Sequence, residues 1–152
     1  MSIFHSMNTT ASALTAGRMR MDVISSNMAN ADTTRANYVN GKWEPYRRKT
    51  VVMEPKENAF SNYLNVAIGE QDHNGIGNGV KVTGIVEDRT PFQLVYDPEH
   101  PDADTEGYVE MPNVDPLREM VDLMSTTRSY EANVTVFNAS KNMLMKALEI
   151  GK

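Results

Sequence analysis

The chain has 152 residues, no cysteine and a formal net charge of −5, and hydrophobic residues make up 40% of the sequence. This length fits one ordinary domain, or one small domain with helical attachments. The acidic balance argues against a nucleic-acid-binding protein, which needs a basic surface, and the absence of cysteine excludes disulfides and zinc–thiolate sites.

The charge is distributed unevenly along the chain. Residues 1–50 carry a net charge of +4, residues 51–116 carry −10 and residues 117–152 carry +1, which indicates three parts. No run approaches the ~18 apolar residues of a membrane span, and the first 17 residues lack the basic leader and apolar core of a secretory signal. We therefore expect a soluble chain that leaves the cytoplasm, if at all, without a cleaved signal peptide.

The N-terminal segment has the periodicity of an amphipathic helix. Thr10 and Gly17 lie on its apolar face, and they predict a close-packed seam of small residues instead of a strong independent coiled coil. The helix should end in "SSNMANADTTRANY", residues 25–38, where Asn and Asp favour local backbone hydrogen bonds. The apolar positions predicted to form the packing face are Met7, Leu14, Met21, Ile24 and Met28, with Ile3 in the same register.

The C-terminal segment predicts a helix of more than 30 residues. Asp115 is suited to the N-cap, Pro116 to the first helical position, and Glu119 adds the acidic charge that the helix dipole favours. The apolar stripe slips near Thr126, and its predicted members are Leu117, Met120, Val121, Met124, Tyr130, Val134, Phe137, Leu144 and Leu148.

The middle of the chain is typical of short strands joined by long loops. "YRRKTVVM", "GVKVTGIV", "PFQLVY" and "GYVEM" predict strands, and "HNGIGNG" predicts a turn. The predicted fold is α+β: terminal helices at 1–35 and 114–152 pair as a coiled-coil-like unit around a β-rich domain at 36–113. The helices have few apolar residues for their length, so they should need neighbours, as in a subunit of an assembly.

Four stretches could indicate chemistry, but each fits a structural role better. "DADTEG" at 102–107 resembles the start of a calcium loop, yet position twelve is Asn113 instead of Glu. "GIGNG" has the wrong glycine spacing for a dinucleotide loop and predicts a hairpin tip. Asp97, Glu99 and His100 could form an acid–base cluster, but no nucleophile motif accompanies them. The basic stretch "PYRRK", residues 45–49, is expected to pair with the acidic surface of a neighbour. No catalytic, cofactor or metal residue is predicted.

Several stretches resemble bacterial flagellar rod and hook proteins. "NMANADTTR" is similar to the signature that closes their N-terminal helix, and "PYRRKTVVM", "YDPEHPDADTEGYVEMPNVD" and residues 119–152 resemble one rod subunit in particular. Residues 36–44 depart from the pattern, since a shorter link rich in Gly and Pro is expected there. The matching signature residues are Asn27, Ala29, Asn30, Thr33, Thr34, Arg35, Tyr96, Asp97, Pro98, His100, Pro101, Gly107, Tyr108, Pro112 and Asn113.

The resemblance implies a structural subunit of the proximal rod, the driveshaft between the membrane ring and the hook. It implies an inner tubular layer of terminal helices, with residues 25–38 leading out to the middle domain. The implied partners are other rod subunits, the rod base, further copies of the chain and the flagellar type III export apparatus, without nucleic acid or a small-molecule substrate. The implied location is the flagellar basal body. Another axial component, such as a different rod, hook or adaptor protein, and a small acid–base enzyme stay open as alternatives.

Overall fold

The computed structural model describes residues 3–39, 41–56, 67 and 78–150. Within these residues, two long helices, α1 (Ile3–Ala29) and α2 (Pro116–Ile150), flank six short strands. This confirms the predicted α+β class. None of the described helices is long and apolar enough to cross a lipid bilayer.

Helix α2 begins where the sequence predicts. The Asp115 carboxylate accepts hydrogen bonds from the backbone N–H groups of Leu117 (3.0 Å) and Arg118 (3.4 Å), which have no partner within the first helical turn. Pro116 is the first helical residue, and the helix runs for 35 residues. The predicted N-cap and the predicted length of more than 30 residues are both confirmed.

Helix α1 has the small-residue seam that its sequence predicts. Thr10 and Ala16 are buried, and a Cβ atom built on Gly17 would lie 3.6 Å from Tyr130 Cδ2 on α2. The Thr10 hydroxyl donates to the Ser6 carbonyl at 2.9 Å, so its burial leaves no polar atom without a partner. Small side chains therefore allow close approach at this seam.

Within the described residues, the strands form three two-stranded sheets. Strands β1 (Asn37–Val39) and β2 (Lys42–Glu44) form an antiparallel hairpin, and β3 (Lys49–Pro55) pairs with β4 (Val80–Glu87). Strands β5 (Gln93–Tyr96) and β6 (Tyr108–Met111) are antiparallel, with Tyr96 opposite Tyr108. The four strand predictions are thus confirmed in place.

Residues 36–44 are the segment that departs from the pattern of the resemblance, which has a shorter Gly/Pro-rich link here. The segment forms the β1–β2 hairpin, in which Tyr38 lies opposite Trp43 with ring centroids 5.1 Å apart. An edge-to-face aromatic pair stabilises a short hairpin, and Gly41, at φ 85°, supplies its turn. Most of the predicted "HNGIGNG" turn lies outside the described residues.

The chain divides into two compact units. Unit 1 contains Met1–Met19, Val52–Gly84 and Thr127–Lys152, and unit 2 contains Arg20–Val51 and Ile85–Thr126. Most of the buried apolar side chains among the described residues belong to unit 2: Val23, Ile24, Tyr46, Val109 and Val114. The division into paired helices at 1–35 and 114–152 and a β-rich domain at 36–113 stays a prediction.

Candidate functional site

A fully buried asparagine occupies the centre of unit 2. The side-chain oxygen of Asn27 accepts hydrogen bonds from the Lys49 backbone N–H (2.9 Å) and the Tyr46 hydroxyl (3.1 Å). Its side-chain nitrogen donates to the Lys49 carbonyl (2.8 Å) and to the Glu119 carboxylate (3.0 Å). The amide thereby reaches its full bonding capacity, and its position and orientation are fixed. This contact set gives the first asparagine of the "NMANADTTR" stretch a structural role.

Glu119, on the first turn of α2, is the buried acid of the same cluster. Its second carboxylate oxygen accepts a 2.7 Å hydrogen bond from Arg48 Nε, and the Arg48 guanidinium also lies 3.5 Å from Asp122 and 3.8 Å from Asp88. A buried carboxylate is tolerated only when it is paired and hydrogen-bonded, and Arg48 supplies both conditions. Arg48 therefore pairs within its own chain, and the pairing of the stretch 45–49 with the acidic surface of a neighbour stays a prediction.

Asn113 connects the cluster to the strands. Its side-chain oxygen accepts a hydrogen bond from the Arg48 backbone N–H at 2.8 Å, and its amide nitrogen donates to the Asp88 carbonyl and to Thr90. A calcium loop would need Glu at this position, and the Asn that stands there instead holds two loops together. We call Asn27, Tyr46, Arg48, Asn113 and Glu119 the polar junction.

The acidic stretch at 102–107 makes contacts within the chain. Asp102 accepts hydrogen bonds from Arg35 Nε (2.6 Å) and the Thr34 hydroxyl (2.8 Å), so it ties the end of the signature stretch to this loop. The hydrogen bond from Arg35, followed by that from Thr34, lowers the pKa of the Asp102 carboxyl below its ordinary value. Within the described residues, no three His, Asp or Glu side chains group closely enough to hold a metal ion.

Asp104 closes the turn before β6. Its carboxylate accepts hydrogen bonds from the backbone N–H groups of Tyr108 (3.1 Å) and Glu106 (2.8 Å), and these bonds lower its pKa. Gly107 has φ +83°, a left-handed conformation that favours glycine, and a Cβ there would lie 3.1 Å from Tyr96 Cε2. The signature residues of this block therefore specify a tight turn beneath a tyrosine pair.

The residues of the acid–base alternative take part in another turn. Asp97 Oδ1 accepts a hydrogen bond from the Glu99 N–H at 3.2 Å, and His100 Nδ1 accepts one from the Asp102 N–H at 3.1 Å. Asp97 and Glu99 are exposed. These contacts are those of a structural loop, and they give the enzyme alternative no support.

The predicted apolar stripe of α2 divides between two faces. Tyr130, Val134, Phe137 and Leu144 are half-buried, and they continue a face on which Glu119 and Thr126 are buried. This face needs no slip, because polar residues occupy the inward positions of the first turns. The remaining predicted members are exposed: Leu117, Met120, Val121, Met124 and Leu148. On α1, Ile24 is buried, and Met7, Leu14, Met21 and Met28 are half-buried.

Sequence reasoning did not identify Tyr46 and Arg48 as site residues, and it indicates Glu119 only as an acid favoured by the helix dipole. The available signal was weak. It consists of a glutamate on the inward face of α2 and of an arginine beside a strand that begins with Lys49, and the two residues are 71 positions apart. Only the folded chain brings them together.

Long terminal helices, short intervening strands, an internal polar cluster and an exposed apolar helix face are features expected of a structural subunit in an assembly. The family model described as "Flagella basal body rod protein" matches residues 7–36, and the model described as "Flagellar basal body rod FlgEFG protein C-terminal" matches residues 105–150. Together the two models match parts of both terminal helices.

Curated relatives extend the match to the whole chain. The flagellar basal-body rod protein FlgC of Bacillus subtilis (strain 168) is 64% identical over 152 residues, which is 100% of both chains. The FlgC proteins of Borreliella burgdorferi (45% identical, 99% of this chain and 98% of the relative) and Escherichia coli O157:H7 (41%, 100% of both) are also similar. The chain belongs to the FlgC family of flagellar basal-body rod proteins, and it is a structural subunit of the bacterial flagellar basal body.

Proposed function

We propose that the chain is a non-catalytic subunit of the proximal rod, built into the driveshaft between the membrane ring and the hook. Family membership supports assembly with other rod proteins. We also propose which surface contacts the neighbouring subunits, how the helices are arranged and by which route the chain is exported. Each is a proposal supported by particular residues.

The observation that carries the proposal is the exposed apolar stripe at the start of α2. Leu117, Val121 and Met124 are 74%, 60% and 56% exposed, and their spacing of four and three residues places them on one face of the helix. A single exposed apolar side chain is ordinary, but a contiguous stripe indicates an interaction surface. We assign this surface to the neighbouring rod subunits.

The second part of the proposal concerns the packing of the two terminal helices against each other. In unit 1 the Gly17 backbone lies close to Tyr130, and in unit 2 Asn27 donates to Glu119. These contacts support side-by-side packing of α1 and α2 as a coiled-coil-like pair. We propose that 1–35 and 114–152 form the inner layer of the rod and that 36–113 forms its outer domain.

Export and incorporation complete the proposed role. The chain would pass through the flagellar type III export apparatus without a cleaved signal peptide and then join the rod base at the membrane ring. Its further partners would be other rod subunits and neighbouring copies. Nucleic acid and small-molecule substrates have no part in this function. Another axial component of the same export route is the alternative, and the likeness to FlgC over the whole chain favours the proximal rod.

The test places a charge on the exposed stripe. Val121→Asp and Leu117→Asp should leave folding and export unchanged, because both side chains lie exposed in the isolated subunit. Rod assembly and swimming should be lost, because the carboxylate would be buried against a neighbour. Ser129→Asp, at another exposed position of α2, is the matched control and should swim. Normal swimming and intact basal bodies with both stripe variants would refute the proposal.

A further inference from the structure

We propose that the polar junction is a register lock, which allows α1 and α2 to pair at only one axial position. The inference rests on the proposed pairing of the terminal helices. It assigns to Glu119 and Asn27 a positioning role, in addition to any contribution they make to stability. Several features of unit 2 support it.

The first support is the direction of the contacts. One oxygen of the Glu119 carboxylate binds Asn27 on α1, and the other binds Arg48 in the segment before β3. The remaining bonds of Asn27 go to Tyr46 and Lys49, so the amide cannot turn to follow a displaced partner. Asn27 is therefore held in place from outside α2, and the backbone of Arg48 is held by its hydrogen bond to Asn113.

The second support concerns the residues of α2 that would face Asn27 if the helix were displaced along its axis. A slip of one turn moves α2 by about 5.4 Å. In one direction Leu123, which has no side-chain acceptor, and Asp122 would approach the place of Glu119. Asp122 already lies 3.5 Å from Arg48, but its side chain is one methylene shorter than that of Glu119. In the other direction Asp115 would approach, but its carboxylate already caps the N–H groups of Leu117 and Arg118. Either slip would move the Glu119 carboxylate by about 5.4 Å relative to Asn27 and Arg48, and both of its present hydrogen bonds would be lost.

The third support is that the other contacts between α1 and α2 do not favour one axial position. The buried neighbours on α1 in unit 2 are Val23 and Ile24, and apolar contacts depend on area, with little preference for one axial position. A single buried polar residue is known to fix the register of helix pairs where apolar contacts alone do not. In a rod, an error of one turn would be repeated at every subunit, so a fixed register has an obvious use.

The test separates register from stability. Because the chain has no cysteine, Ser25→Cys and Ser125→Cys, both exposed and both in unit 2, can carry a pair of spin labels without further changes. Pulsed electron paramagnetic resonance on the full-length free chain measures the distribution of distances between them. The parent should give one narrow distribution.

The main variant replaces the ion pair by apolar residues of similar size, Arg48→Met with Glu119→Leu. Such a replacement of a buried pair is often neutral or stabilising. We expect a folded chain with a smaller loss of unfolding midpoint than in Glu119→Ala, since the Asn27 amide still loses one acceptor. A second distance population should appear, displaced by up to about 5 Å. The matched control is Lys146→Met with Glu149→Leu, which removes an exposed ion pair of α2 and should leave one population.

A second variant tests the same contact from the side of α1. Asn27→Asp keeps the shape of the side chain but opposes two carboxylates at the native register, and it should also produce the displaced population. One narrow distribution in both folded variants would overturn the lock, as would a broad distribution in the parent. The proposed assembly function is decided separately by swimming and rod assembly, so the failure of one proposal is distinguishable from the failure of the other.

Discussion

The side-chain oxygen of Ser12 on α1 accepts a 3.0 Å hydrogen bond from the backbone N–H of Val80, the first residue of β4. The same hydroxyl donates to the Thr9 carbonyl at 2.7 Å. Gly79 precedes this contact with φ +89°, and a Cβ placed on it would overlap the Ser12 side chain. In unit 1, the start of β4 therefore approaches α1 closely enough to exclude any side chain at position 79.

Gly79→Ala should destabilise the chain. A left-handed conformation costs a non-glycine residue about 1–3 kcal/mol, and the overlap with Ser12 adds to that cost. We expect a loss of more than about 2 kcal/mol in the free energy of unfolding, measured by chemical denaturation. Gly84→Ala, within β4 but with no atom within 4 Å and no positive φ, is the control and should lose far less. Equal effects would contradict the close approach.

Glu119→Ala should destabilise unit 2 because it removes one side of a buried ion pair. Breaking such a pair costs about 3–5 kcal/mol, and we expect the lower end, since Arg48 keeps Asp122 and Asp88 nearby. Glu131→Ala, at an exposed position of α2, should change the free energy of unfolding by less than about 0.5 kcal/mol. A small effect at Glu119 would mean that the buried carboxylate contributes little to folding.

The elements of this fold follow local rules, so the sequence predicts them well. Asp115 and Pro116 mark the start of α2 through capping chemistry, and runs of β-branched residues mark β3 and β4. Both signals act over a few residues. The hairpin at 36–44 also has a local signal, the Asn-Gly dipeptide at 40–41, which is typical of a two-residue hairpin turn. The expectation of a Gly/Pro-rich link overlooked it, and the aromatic pair that stabilises the hairpin forms only once the strands are aligned.

The polar junction could not be predicted, because its partners are far apart in sequence. Asn27 and Glu119 are 92 positions apart. Each residue also has a sufficient local explanation: Asn27 lies near the end of α1, and Glu119 is an acid that the dipole of α2 favours. The α2 stripe shows a related error. Periodicity assigns apolar residues to the inside, whereas the inward positions of the first turns are Glu119 and Thr126. Leu117 and Val121, which periodicity assigns to the inside, are therefore exposed in the structure.

The contact between Arg35 and Asp102 should make stability depend on pH. The folded-state pKa of Asp102 lies below its unfolded value of about 3.9, mainly because Arg35 donates to the ionised carboxylate. The contact therefore stabilises the fold above about pH 4, and this contribution is lost as the pH falls through the lowered pKa.

The carboxyl carbon resonance of Asp102, followed by nuclear magnetic resonance during an acid titration, would report this pKa. Arg35→Gln should raise it towards the ordinary value. The pKa of Asp104 should stay lowered in the same variant, because its partners are backbone N–H groups of Glu106 and Tyr108. An unchanged Asp102 titration in Arg35→Gln would show that the guanidinium does not set its pKa.

The last prediction separates export from assembly. Val134 is half-buried on the inward face of α2, and Val134→Asp places a carboxylate in that apolar seam. An unpaired carboxylate there costs on the order of 3 kcal/mol or is protonated through a raised pKa, and the cost recurs at every subunit of the rod. We expect cells that still export the variant but build no rod beyond it and do not swim.

Immunoblots of exported and cell-retained fractions, beside a motility plate, would measure both outcomes. Val136→Asp is the matched control: the same change two residues along α2, at an exposed position, should be exported and should disturb the helix pair little. Normal swimming with Val134→Asp would mean that Val134 does not pack against a partner in the rod. Loss of export together with a stable cytoplasmic pool would mean that α2 carries part of the export signal, and the N-terminal segment alone could not then be the address.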